Sequence, residues 1–170
     1  MVIFGLPTTG KTTLAKELNS AGVTVVDTDD IHSLYTVVGD EVPSELSDIT
    51  KVKYDSEDWI KDTVRERIAH LNAEHQIIIL TNFAIVEEKR DWEYSFAFFV
   101  DEELLFTRFS ERSPDKYTDD ELRKLVARWA DGAGSAVDHS ARRSIYLSES
   151  QYMSDYADEI ITAYLVDGQE

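Results

Sequence analysis

Gly5, Gly10, Lys11 and Thr12 stand in the opening "MVIFGLPTTGKTTLAKEL" at a spacing suited to holding phosphate: a glycine, four further residues, then Gly-Lys-Thr. Glycines let the backbone approach an anion closely. The successive N–H groups from Gly5 through Thr8, Thr9, Gly10, Lys11, Thr12 and Thr13 can then curl around it at the start of a helix. Lys11 would reach the β- and γ-phosphates of a nucleotide, and the Thr12 hydroxyl would ligate Mg²⁺. Farther on, "VTVVDTDDIHSLY" sets Asp27 and Asp29 one residue apart. Carboxylates beside such a loop bind Mg²⁺ or take the proton of an attacking hydroxyl. By itself the same acidic run also suits a solvated turn capping a helix at Ile31.

These groups act together only if the fold places them together. The apolar run at residues 2–4 reads as a strand and residues 13–18 as a helix start, with Leu14 and Leu18 on one face. Gly5 to Thr12 must therefore be a tight strand-to-helix turn, which is the setting of a P-loop. Further strand signals lie at residues 23–26, 76–80, 96–100 and 159–162. Between them, Asp55 or Ser56 can cap a helix through Trp59, Val64 and Ile68 to about residue 73. Thr118 with Glu121 makes a capping box for "TDDELRKLVARWAD", and a third helix is expected over residues 138–153. Alternating strands and helices imply an α/β fold with a parallel sheet covered on both faces. Asp27 and Asp29, directly after the second strand, then emerge at the carboxyl edge of that sheet, beside the P-loop.

Composition bounds the partners. A chain of 170 residues that is 42% hydrophobic can bury one proper core, so a single domain over residues 1–170 is expected. With no cysteine, disulfides, zinc–thiolate sites and cysteine nucleophiles are excluded, and the spacing of His32, His70, His75 and His139 suggests no metal site. No stretch approaches the roughly 20 apolar residues a bilayer crossing needs, and the few before Gly5 fall short of a signal-peptide core. A soluble, cytoplasmic protein without membrane partners is the expectation. The net charge of −17 speaks against a general DNA-coating role, because affinity for a phosphate backbone comes from Lys and Arg. The charge is uneven, however: before Asp27 the only acid is Glu17, against Lys11 and Lys16. A local anion site survives within the acidic shell.

With the P-loop and "DTDD" both in place, the sequence resembles the P-loop nucleoside and nucleotide kinase superfamily over nearly its whole length. Within it the resemblance is to small-molecule kinases of the shikimate and gluconate type and to phage polynucleotide or DNA-modifying kinases. It implies a three-layer P-loop kinase fold with a five-stranded parallel sheet in the order 2-3-1-4-5, ATP as donor, and Mg²⁺. It makes Asp29 the candidate general base and Asp27 a metal-linked carboxylate. "FFVDEELLFTRFSERSPDKYTDDEL" is similar to the strand, acidic turn and helix that lead such kinases into a lid, here about residues 108–120. Arg108 and Arg112 lie one helical turn apart there and would clamp the transferring phosphoryl group or pack on adenine. Out of that context the pair reads as a solvated face paired with Glu111 and its neighbours. Residues 35–55, with Gly39 and Pro43, form an irregular segment that in the resembling enzymes closes over the acceptor. "SDYADEIITAYL" is similar to the final strand, after which a loop borders the donor base.

The sequence also departs from the pattern. "QIIILTNF" should be the third strand, yet no aspartate follows its apolar run, and Thr81 and Asn82 offer only neutral hydrogen bonds. This weakens a GTPase or motor assignment. His32 occupies the spacing of an acceptor arginine in polynucleotide kinases. Lys51, Lys53, Arg142 and Arg143 read equally as phosphate contacts or surface charges, and Trp59, Trp92 and Trp129 read as anchors before base-stacking platforms. The expected activity is ATP- and Mg²⁺-dependent phosphoryl transfer to a hydroxyl of a nucleoside, nucleotide or small metabolite. One alternative is a kinase acting on a hydroxyl carried by nucleic acid, a 5-hydroxymethyl pyrimidine of phage DNA or a 5′ end. The net charge disfavours it, although a flipped nucleotide needs only a small basic patch. The other is a non-catalytic nucleotide-binding switch.

Overall fold

The computed structural model describes residues 1–85, 91–136 and 141–168. Along the chain run β1 (Val2–Gly5), α1 (Lys11–Ser20), β2 (Val25–Asp27), α2 (Ser33–Thr36), α3 (Asp58–Glu74), β3 (Ile78–Thr81), β4 (Tyr94–Phe99), α4 (Glu102–Arg112), α5 (Asp119–Ala136), β5 (Ala141–Tyr146) and α6 (Ala157–Asp167). The five strands pair in parallel in the expected order, β2-β3-β1-β4-β5. Every residue of β1 and β3 is buried, as inner strands of a sheet covered on both faces require. Register places Ile3 opposite Leu80 and Phe96, and Asp27 opposite Leu80. The chain therefore leaves β1, β2 and β3 at one carboxyl edge, within a residue or two of the same level.

The helices form where the apolar spacing says they should. Leu14 and Leu18 of α1 are fully buried. That helix ends where the Val23 N–H donates to the Leu18 carbonyl and the Gly22 N–H to the Asn19 carbonyl, both at 3.0 Å. Gly22 has φ 83°, the left-handed conformation this double-bonded helix end demands. Ile60, Val64, Ile68 and Leu71 line the buried face of α3, which begins at Asp58 with Glu57 before it. Of the two caps expected, Ser56 instead accepts the Lys53 N–H at 2.7 Å, closing the turn ahead of the helix. Thr118 and Glu121 do form their capping box, with the Thr118 N–H on Glu121 Oε2 at 2.9 Å and the Glu121 N–H on Thr118 Oγ1 at 3.3 Å. Ile68→Ala, at a fully buried position, should cost about 2–5 kcal/mol. It should appear as a lowered urea midpoint at unchanged slope.

The last quarter of the chain differs from expectation. Residues 159–162 lie inside α6, and the fifth strand is β5, within the stretch expected to be helical; residues 137–140, which include the start of that stretch, lie outside the described residues. Two physical facts explain the exchange. A short apolar run such as Ile160 to Val166 suits a buried helix as well as a strand. Here Ile160 is fully buried and α6 packs against α1. Conversely, β5 is an edge strand, where charged side chains are tolerated and discourage pairing with other chains. Its Arg142 bonds Glu93 at 2.9 Å and its Arg143 pairs with Glu159. Among the described residues no helix is long and apolar enough to cross a membrane.

Candidate active site at the carboxyl edge of the sheet

The loop between β1 and α1 has the geometry of an anion cradle. Thr8 (φ 65°) and Gly10 (φ 96°) both take the left-handed conformation, which turns successive N–H groups toward one side. The first intrahelical bond is from the Leu14 N–H to the Gly10 carbonyl at 3.0 Å, so the N–H groups of Lys11, Thr12 and Thr13 have no partner in the preceding turn. Thr8, Gly10, Lys11, Thr12 and Thr13 line a cleft of about 1060 Å³. Gly5 and Thr9 lie beneath it. The Thr9 hydroxyl donates to the Leu6 carbonyl at 2.6 Å, and a Cβ on Gly5 would stand 2.7 Å from Met153 Sδ. Their part is to support the cradle. Lys11, only 9% exposed, donates through Nζ to the Gly5 carbonyl at 3.2 Å. Burial lowers its pKa, against the opposite pull of Asp29 and Asp27.

The two aspartates take different positions. Asp29 is exposed and lines the cleft, where its Oδ1 accepts a hydrogen bond from Asn82 Nδ2. The Asn82 Oδ1 in turn accepts the Ala84 N–H at 2.9 Å, which fixes the amide so that its nitrogen faces Asp29. Asp27 sits half-buried behind the cleft surface and accepts the Asp29 N–H at 2.9 Å. Burial, followed by the Asp29 charge, pushes Asp27 above the usual carboxylate range, while the Asp29 N–H and Lys11 pull it down.

A carboxyl with a raised native pKa binds its proton more tightly folded than unfolded. The stability this confers is present below the unfolded value, about 3.9, and is lost as pH rises through the raised native value. Asp27→Asn keeps an oxygen for the Asp29 N–H and removes that loss. The variant's advantage in Tm over the parent, both without ligand, should therefore widen from about pH 4 toward neutrality. A difference that stays flat across that range would contradict the raised pKa.

The arginines also divide. Arg112 is exposed at the cleft rim, while Arg108 is 7% exposed. Arg108 Nη2 donates to the carbonyls of Ser148, Glu149 and Gln151 at 2.7–3.1 Å, and its guanidinium lies 4.2 Å from the centroid of the Tyr152 ring. Its Nε and Nη1 are buried without a hydrogen-bond partner, as is the Thr8 hydroxyl. The loop after β5 is thereby held against the cradle, and the Met153 N–H donates to the Thr9 carbonyl at 2.9 Å. Residues 147–153 thus occupy the place beside the P-loop that was expected to follow residues 159–162. His32 bonds the Leu46 carbonyl through Nε2 at 2.9 Å and so ties down the segment after β2. Asn82 and Tyr152 were not singled out from the sequence as site residues. For Asn82 the signal was a polar residue ending the third strand, where an aspartate is usual in P-loop proteins. Tyr152 carried none.

Orphaned donors on Thr8 and Arg108, a cationic lysine and free helix N–H groups suit the polyphosphate of a nucleotide. Thr12 with the nearby carboxylates suits Mg²⁺, which takes one or two protein oxygens beside phosphate. A parallel sheet in the order 2-3-1-4-5, with a phosphate cradle leading from its middle strand into a helix, defines the fold of the P-loop nucleoside and nucleotide kinases. The chain belongs to the AAA domain family, which it matches over residues 1–127. Among solved structures it is similar to shikimate kinase from Bacteroides thetaiotaomicron, with 15% identity, 96% of each chain covered and a TM-score of 0.59. It is similar to shikimate kinase from Acinetobacter baumannii in complex with shikimate, with 13% identity, 99% of this chain and 95% of that one covered, and a TM-score of 0.58. A gluconokinase from Sinorhizobium meliloti matches with 12% identity, 96% and 90% coverage and a TM-score of 0.53. No curated protein matches the sequence.

Proposed function

We propose that this protein is a kinase that transfers the γ-phosphoryl group of ATP, with Mg²⁺, to a hydroxyl of a nucleoside, nucleotide or small metabolite. The observation that carries the proposal is Asp29, a cleft-lining carboxylate held by the oriented amide of Asn82 beside the Lys11 cradle. In that role Asp29 orients the acceptor hydroxyl and takes its proton as the oxygen bonds to the γ-phosphorus. The bridging P–O bond breaks, and ADP leaves with the electron pair. Lys11 and the N–H groups of Gly10 to Thr13 hold the donor phosphates, Thr12 and Asp27 serve the metal, and Arg112 balances charge on the transferring group. Bound Mg²⁺ supplies charge neutralisation at the β- and γ-phosphates. Arg108 with Tyr152 forms the wall for the donor base. The likeness in fold to shikimate kinases and a gluconokinase supports a small acceptor.

In this reading residues 1–170 act as one kinase domain, with residues 35–55 covering the acceptor and residues 108–120 serving as lid. The segment over the acceptor is anchored to α3: Arg67 donates to the Leu34 carbonyl at 2.9 Å and to Asp40 at 2.7 Å, and Lys61 to the Tyr54 carbonyl at 2.7 Å. The test is transfer of labelled γ-phosphate from ATP to a panel of nucleosides, nucleotides, sugar acids and hydroxymethylated DNA. Transfer to a soluble acceptor is expected. Tight ATP binding with no transfer to any of them would leave a nucleotide-binding switch.

A further inference from the structure

The acceptor side of the cleft is built from rings and cations. Tyr117 and Trp129 both line it, and Phe109 packs behind them with ring centroids 5.9 and 5.0 Å away, respectively. Leu125 extends this wall along α5. Tyr54 lines the same cleft, with the Arg128 guanidinium 3.6 Å from its ring centroid, so α5 and the segment before α3 meet at this cleft. Asp29, Asn82 and Ala84 line the same cleft, and α5 contacts the turn at residues 83–85, whereas Tyr152, under the Arg108 guanidinium, lies against Gly10 of the P-loop. On the rim stand Lys53, Arg112 and Lys116, none of which forms an ion pair among the described residues. Arg65, Arg67, Arg123, Arg142 and Arg143 pair with carboxylates, while Lys16, Lys51, Lys124 and Arg128, off the lining, likewise form no ion pair among the described residues. In a chain with 34 acidic and 17 basic residues, a cleft lining on which cations outnumber acids marks where an anion is received. Glu111 is the acid besides Asp29 on that lining.

Resting on the kinase reading above, we propose that the acceptor is a planar-ring anion of the nucleoside monophosphate class. Its ring lies against Trp129 and Tyr117, its phosphate meets Lys116 and Lys53, and a sugar hydroxyl faces Asp29. A flat, polarisable wall rewards a ring, since base–aromatic stacking is worth roughly 1–3 kcal/mol. An aliphatic hydroxy acid would use the cations and leave the rings wet. A neutral nucleoside would use the rings and leave the cations unmatched.

The test compares the four common nucleoside 5′-monophosphates, their parent nucleosides and gluconate as acceptors, in the wild-type protein, Trp129→Leu and Lys116→Gln. At least one monophosphate should be used with a KM about tenfold or more below its nucleoside and below gluconate. Trp129→Leu should raise that KM about tenfold with little change in the KM for ATP. Lys116 is exposed, with Nζ 5.3 Å from the centroid of the Tyr117 ring, and Lys116→Gln should raise the KM for the monophosphate more than that for the nucleoside. Gluconate or a nucleoside equalling the best monophosphate would overturn the proposal. So would an effect of Trp129→Leu confined to ATP. If nothing is phosphorylated, the kinase reading fails separately, and binding without ATP decides the site. Quenching of tryptophan fluorescence by a monophosphate, lost in Trp129→Phe, upholds it, and no quenching by any of the four refutes it.

Discussion

Lys11→Ala should fold normally and transfer no measurable phosphate from ATP. The side chain is the positive charge of the cradle, nearly buried at the head of α1 and pointed into the cleft lining. Removing one preorganised donor from the position where charge develops typically costs about 10² to 10³ in rate, and here a full charge is lost as well. The fold should not suffer. Alanine is the best helix former, and a lysine whose pKa is depressed by burial is itself a cost to the ligand-free protein. Without nucleotide, the variant should therefore melt no lower than its parent, while the stabilisation that ATP confers on the parent largely disappears. Thermal melts with and without ATP, alongside the turnover assay, separate a broken site from a broken fold. Near-normal turnover in a folded Lys11→Ala protein would remove the P-loop from the mechanism.

For Asp29→Asn the expected loss is about 10² to 10⁴ in the chemical step, since the amide is nearly isosteric but a poor base. Affinity for ATP should change little, because Lys11, Thr12 and the backbone cradle remain. Asn82 sharpens this result. It acts on the reaction through Asp29, so Asn82→Leu should lower kcat less than Asp29→Asn, because the carboxylate keeps its charge and loses only the hydrogen bond that orients it. Asn82→Leu added to Asp29→Asn should then cost little more. Were Asp29 the principal metal carboxylate, excess Mg²⁺ would restore much of the rate to Asp29→Asn. Titrating Mg²⁺ for Asp29→Asn and Asp27→Asn tells the base from the metal ligand. Full activity in both would reduce the acidic cluster to a solvated turn.

Much of the molecule follows from local rules. The P-loop, the buried inner strands, the apolar face of α3 and the capping box at Thr118 and Glu121 each depend on residues close together in sequence, and each forms as its spacing implies. The order of the sheet follows from the resemblance those motifs carry. What the sequence alone left open depends on contacts across the chain. Whether Ile160 to Val166 became helix or strand was decided by the packing of α6 on α1, and β5 could carry two arginines only because it lies at the edge. Asn82 gained its part from a partner 53 residues away, and Arg108 from carbonyls about 40 residues on. Trp129 read as an ordinary anchor, and Tyr117 carried no signal, until the docking of α5 on α4 brought both rings against Phe109 on the lining of the cleft. Periodicity and capping report which face of an element is buried. They carry no record of what the face meets, and it is those meetings, set by the closing of the sheet and the docking of its helices, that turn single residues into a site.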